Sequence, residues 1–178
     1  MTMEKPAIDH SIPGRSKHFM GLFRVALAVL ALDLATKAWV LRTLPLYTQK
    51  EIIPGFFNLV HVRNTGVAFS FFAGTDSPWR VPVLAGLTLA ALGVVFFLYR
   101  ECRPEEKIKR FALGLIAGGA SGNLVDRLRF GNVVDFLDFY IGPYHWPAFN
   151  VADTAVTLGA VLLAWSLFRT EKVPTPRL

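Results

Sequence analysis

Four aspartates (Asp126, Asp135, Asp138 and Asp153), together with the asparagines Asn123 and Asn150, fall within the stretch Gly118 to Asp153, between segments apolar enough to cross a bilayer. A charge near hydrocarbon costs at least about 3 kcal/mol and persists where it faces a protein interior, a water-filled cavity or a partner, so the cluster marks a candidate functional site. Asp135 lies just ahead of the last apolar segment and Asp153 within its first turn, so a short connector can bring the two carboxylates together at one membrane interface. Two adjacent carboxylates do not both ionise cheaply. Repulsion and desolvation raise one pKa, leaving one group as base toward a water while the other, protonated, hydrogen-bonds a scissile carbonyl. Such a pair hydrolyses a peptide with neither a metal nor a covalent intermediate, and its titration belongs to both members.

Plainer roles are open for each residue. Asn150 followed by Asp153 has the spacing of a helix N-cap with an acidic residue three positions on, which stabilises a helix start. Asp126 is flanked by Arg127 and Arg129 and can pair with them at the membrane surface, and Asp138 is expected to be solvated. His145 and Trp146 are expected to anchor the interface; no second histidine lies at ligand spacing, so neither a metal site nor a cofactor is expected. Asn64, with Gly66 two residues on, is by itself the signature of a turn.

The elements that must position these groups follow from composition. The 178 residues are 53% apolar and 18% charged, with a mean hydropathy of +0.41, a balance that predicts a one-domain polytopic membrane protein. A net charge of +6 would suggest nucleic acid in a soluble protein, but the excess flanks apolar runs, so no nucleic-acid partner is expected. Cys102, the sole cysteine, sits in a charged loop as a bystander and excludes an intrachain disulfide.

Residues 1–18, broken by Pro6, Pro13 and Gly14, are expected to be a disordered cytoplasmic tail. Residues 19–41 form a first span, too long for a secretory signal and lacking a small-residue cleavage site after it. It carries Asp33 and Lys37, four apart on one helix face, either a self-neutralising pair that snorkels outward or part of a site. Residues 42–80 are broken by proline and glycine around β-prone pieces, FFNLVHV and VAFSFF. They predict a sheet-like element on the outer leaflet with Phe56, Phe57, Phe69, Phe71, Phe72 and Trp79 at headgroup depth. A second span covers 81–99, and the loop after it, RECRPEEKIKR, is cytoplasmic by its charge. The third span, from 111 to about 128, has Gly114, Gly118 and Gly122 as a small-residue stripe for close helix packing. An aromatic connector leads to a fourth span at 149–168 and a cytoplasmic tail at 169–178. This topology puts Asp33, Asn64, Asn123, Asp126, Asp135, Asn150 and Asp153 on the outer side.

Taken together, DLATK from Asp33, NTGVAF from Asn64, GGASGNLVDR from Gly118, VVDF from Val133 and FNVAD from Phe149 resemble the lipoprotein signal peptidases (signal peptidase II), bacterial intramembrane aspartyl peptidases. The resemblance implies an α-helical membrane protein of four transmembrane helices with a small extracytoplasmic β-rich cradle, and one peptidase domain over 19–168 with the cradle at about 42–80. It implies that Asp135 and Asp153 are the catalytic pair. It also implies that Asn64, Gly66, Asn123, Asp126, Arg127 and Asn150 line or brace the site, while Asp33 and Lys37 help shape it. The implied substrate is a prolipoprotein carrying a diacylglyceryl group on a cysteine and cut on the N-terminal side of that cysteine. A monomer among membrane lipids in the bacterial inner membrane is expected. A proton-coupled transporter would more often show repeat symmetry and midplane charges, and the Gly-x-Gly-Asp signature of presenilin-like proteases is absent. A non-catalytic scaffold would leave the paired acids unexplained.

Overall fold

A computed structural model describes residues 15–66 and 78–168. The expectations for residues 1–14 and 169–178, and for Phe69, Phe71, Phe72 and the piece VAFSFF, lie outside the described residues. The elements run α1 (Arg15–Thr43), β1 (Gln49–Ile53), β2 (Phe57–Asn64), α2 (Arg80–Arg100), α3 (Lys107–Phe130), β3 (Val133–Ile141), β4 (Tyr144–His145) and α4 (Val151–Phe168). Three of the helices (α1 from Phe19, α2 and α4) are long and apolar enough to cross a membrane. Helix α3 is long enough at 24 residues, about 36 Å, but Asn123, Asp126, Arg127 and Arg129 at one end and Lys107, Lys109 and Arg110 at the other dilute its apolarity.

The bundle buries a set of polar and charged side chains while many large apolar side chains face outward. Asp33, Lys37, Asn123, Asp126, Asp135 and Asn150 are buried, whereas Phe23, Leu27, Leu87, Phe97, Val161 and Leu167 are exposed on α1, α2 and α4. That inversion is stable only where the surroundings are hydrocarbon and the buried polar groups satisfy one another.

Helix α3 is the axis against which α1, α2 and α4 pack, and its glycines set how closely. A Cβ at Gly119 would collide with the carbonyl oxygen of Ala152, and one at Gly118 would stand 2.7 Å from that of Ala26. Gly119→Ala should therefore lower stability by about 2 kcal/mol through overpacking. Gly86→Ala on α2, where nothing lies within 4 Å, should be neutral or gain up to about 1 kcal/mol. Thermal unfolding in detergent distinguishes the two, and equal midpoints would show that α3 and α4 are not packed this tightly.

The sheet is antiparallel in the order β1-β2-β3-β4. Its extent corrects the expectation of a sheet confined to residues 42–80: the aromatic connector contributes β3, which pairs along β2 and aligns Val62 with Asp135 and Asn58 with Asp138. Phe149 bridges to Leu137, so α4 starts at Val151 and not at 149. Gly131, at φ 74°, closes α3 in the left-handed conformation with its N–H on the Arg127 carbonyl. This turn sends the chain directly from the end of α3 into β3. Phe57 packs on Phe139 with centroids 4.8 Å apart, while Phe56 and Trp79 are exposed.

Candidate functional site

Asp135 projects from β3 and Asp153 from the first turn of α4, and three asparagines from three other places surround them. Asn64 Nδ2, at the end of β2, donates to Asp135 Oδ2 at 2.9 Å. Asn150 Nδ2 donates to Asp135 Oδ1 at 2.7 Å, and Asn123 Nδ2, from α3, donates to Asp153 Oδ1 at 2.7 Å. Asn150 also accepts the Asp153 N–H on its Oδ1 at 2.9 Å, so the helix-cap reading and the site reading hold together in one residue. Gly66 accommodates φ 85° and donates its N–H to Asn64 Oδ1 at 2.8 Å, and a Cβ there would press on Leu84. The turn signature is thus the device that aims Asn64.

Beneath this layer lies a buried ionic knot. Lys37 Nζ stands 2.8 Å from Asp33 Oδ2 and 3.0 Å from Asp126 Oδ2, and donates to Asn123 Oδ1 at 3.1 Å. Asp33 Oδ1 accepts the Ala152 N–H at 2.9 Å and Asp126 Oδ2 the Val134 N–H at 3.0 Å, so the knot ties α1 to α4 and α3 to β3. Two of the plainer alternatives are set aside here. Asp33 and Lys37 do not snorkel, being 0% and 2% exposed. Asp126 pairs with Lys37, while Arg129 lies over the Phe130 ring. Arg127 is half-buried, donates to the Asn123 carbonyl at 3.2 Å and is near enough to Asp153, Asp135 and Asp126 for its charge to act on all three.

Asp138 is also a correction. It is 6% exposed, not solvated, and accepts from Asn58 Nδ2 at 2.9 Å while His145 Nδ1 lies 2.9 Å away. Strand alternation turns it to the face opposite Asp135. Asn58 and His145, absent from the expected site, are its partners; the cross-strand register that pairs Asn58 with Asp138 is not visible from spacing alone. Cys102 is buried against Leu22, Val95, Tyr99 and Leu113, with Sγ 3.2 Å from the Leu98 carbonyl. Burial pushes its thiol pKa up, which lowers its reactivity. Among the described residues no group of three His, Cys, Asp or Glu side chains is placed to hold a metal ion.

The two carboxylates differ in environment. Asp135 is 1% exposed, and burial, reinforced by the charge of Asp153 and opposed by the bonds from Asn64 and Asn150, pushes its pKa up to about 6. Asp153 is half-buried and borders a groove of about 400 Å³ formed with Trp146, Phe149, Thr154, Thr157 and Leu158. One acid enclosed by amides and one open to a largely apolar groove is an arrangement suited to acid–base work on a bound molecule.

The family model for signal peptidase (SPase) II matches residues 25–169. A lipoprotein signal peptidase of Geobacter sulfurreducens is 45% identical over 152 residues, covering 85% of this chain and 94% of that protein. One from Syntrophotalea carbinolica is 44% identical over 151 residues, covering 85% and 92%. Among solved structures, a bacterial membrane enzyme determined by the in meso method superposes with a TM-score of 0.74 at 30% identity, over 84% of this chain and 93% of that one. A second such structure gives 0.75 at 27% identity, over 88% and 93%.

Proposed function

The chain belongs to the signal peptidase II family of aspartic peptidases, and from that premise we propose that Asp135 and Asp153 are its catalytic pair and that it cleaves diacylglyceryl-modified prolipoproteins on the N-terminal side of the lipid-modified cysteine. The observation that carries this reading is that amide donors hold both carboxylates, enclosing Asp135 and leaving Asp153 at the rim of an apolar groove. A carboxylate near its ordinary pKa would be ionised throughout the physiological range, whereas one held near 6 keeps a proton available at mildly acidic pH.

In the proposed mechanism the pair holds one proton. The protonated member donates to the scissile carbonyl oxygen while the ionised member removes a proton from the attacking water, and the proton then passes to the leaving amine. Acyl chains of the substrate remain in the bilayer and bring the scissile bond to interfacial depth, where the pair sits. In this reading α3 is a fourth span, both termini are cytoplasmic, the pair faces the outer leaflet of the bacterial inner membrane, and residues 19–168 are one domain that acts as a monomer among lipids. The polar end of α3 is tolerated because neighbouring helices enclose it.

The test is purified protein in detergent with a lipobox peptide, lipidated or not, assayed with and without chelator. Cleavage of the lipidated peptide alone, before its cysteine and unchanged by chelator, is expected; cleavage that chelator stops and zinc restores would overturn the metal-free mechanism. The pH dependence follows from sign. Asp135 is raised, so the singly protonated pair exists below about pH 6 and is lost above it. The profile of kcat/KM should fall through about pH 6, and that of kcat at higher pH because bound substrate excludes water and raises the pKa further. A profile flat from pH 5 to 8 would contradict a shared proton.

A further inference from the structure

Each asparagine around the pair presents its NH2 to an aspartate, and each has its carbonyl oxygen held by a group that only donates. For Asn64 that group is the Gly66 N–H and for Asn150 the Asp153 N–H, both main chain. For Asn123 it is Lys37 Nζ at 3.1 Å, a side chain reaching over from α1. The two ends of an asparagine amide are almost equal in size, so hydrogen bonding alone decides which end faces a neighbour. Asn150 Nδ2 also approaches Asn123 Oδ1, at 3.3 Å, but its two hydrogens are already directed to Asp135 Oδ1 at 2.7 Å and the Val134 carbonyl at 3.2 Å.

We infer that Lys37 is a positioning residue that fixes the Asn123 side chain with its NH2 toward Asp153, so that this carboxylate always faces a donor. The inference rests on the aspartyl-pair reading above. Lys37 is suited to the task because its ammonium has three hydrogens and three buried acceptors, Asp33, Asp126 and Asn123. At 2% exposure no water competes for them. The two carboxylates are themselves pinned by the Ala152 and Val134 N–H groups. The ammonium is thus anchored to the start of α4 and the start of β3, the elements that carry Asp153 and Asp135.

Replacing Lys37 frees the Asn123 amide to rotate and turn its oxygen toward Asp153, which an ionised carboxylate disfavours. It also removes a positive charge that lowers the pKa of Asp135, on which the charges of Asp153 and Arg127 also act. Both changes make the pair hold its proton more tightly.

The experiment compares Lys37→Met, which keeps length and removes the donor, with Lys37→Gln, which keeps an N–H without charge, using the full-length protein in detergent and a diacylglyceryl lipobox peptide. Lys37→Met should lower kcat by about 100-fold with KM changed less than about threefold, and should move the falling limb of the pH profile upward by about one unit. Lys37→Gln should recover about tenfold of the lost kcat by restoring an N–H to Asn123 Oδ1. Wild-type kcat in Lys37→Met, or a loss that follows only the folded fraction with the limb unmoved and no rescue by glutamine, would overturn the assignment. Should Lys37→Met fail to fold because Asp33 and Asp126 are left facing each other, Lys37→Met combined with Asp126→Asn removes one carboxylate together with the cation and is judged by the same two results. Active Asp135→Asn or Asp153→Asn would defeat the pair reading itself. Inactivity of both beside a wild-type-like Lys37 variant would defeat only the role of Lys37.

Discussion

Asp135→Asn and Asp153→Asn should each lower kcat by about 10,000-fold while the lipidated peptide still binds, because either amide leaves the pair without its shared proton. Their stabilities should differ even though their activities do not. Both oxygens of Asp135 accept from amide NH2 groups, Asn64 on one side and Asn150 on the other. An asparagine there must turn its own NH2 against a donor, at about 1–3 kcal/mol. At position 153 the asparagine can keep its oxygen on Asn123 Nδ2 and direct its NH2 into the groove, so no such cost arises. Thermal unfolding beside the kinetics separates the two effects. Comparable losses of stability at both positions would mean that the amides do not hold Asp135 as described.

The second large effect is expected at Asn150, which carries the most bonds in the site. Asn150→Ala removes the N-cap of α4 and the donors to Asp135 and to the Val134 carbonyl. The cap alone costs about 1 kcal/mol of stability. Loss of a donor to a buried catalytic carboxylate should cost about 100- to 1,000-fold in kcat. Asn150→Asp divides these contributions, since its carboxylate still caps the helix but brings a third acid against Asp135 in place of a donor. Helix stability should return in Asn150→Asp and activity should not. Recovery of activity in that variant would reduce Asn150 to a cap.

Much of this was legible in the chain because a membrane imposes few alternatives. Long apolar runs flanked by cations gave α1, α2 and α4 to within a few residues, and α3 was found despite its polar end because its glycine stripe and flanking charges identify a packed helix. The candidate acids stood out because a carboxylate beside hydrocarbon requires an explanation, and it was the resemblance of the motifs to signal peptidase II that grouped them with Asn64, Asn123, Asn150 and Lys37 as one candidate site. Pairings set by the third dimension were hidden. VVDFLDFYI carries too many aromatics and too little clean alternation to distinguish a strand from an interfacial connector. Its partnership with β2, and with it the Asn58–Asp138–His145 cluster, emerges only from register. The neighbours Arg127 and Arg129 suggested local partners for Asp126, yet Arg127, at i+1, points to another face and donates to the Asn123 carbonyl, Arg129 lies over the Phe130 ring, and Lys37 from another helix fills the role. Cys102 was placed by its charged neighbours in sequence and buried by its apolar neighbours in space.

The central claim, that Asp135 and Asp153 act as one catalytic unit, is tested most directly by the turnover of the double variant Asp135→Asn/Asp153→Asn beside the two singles on the same lipidated peptide. A unit that needs both acids loses its chemistry with the first substitution, so kcat of the double variant should lie within about threefold of either single. Losses that multiply, with the double variant lower than each single by the full effect of the other, would show two independent contributions and contradict the account.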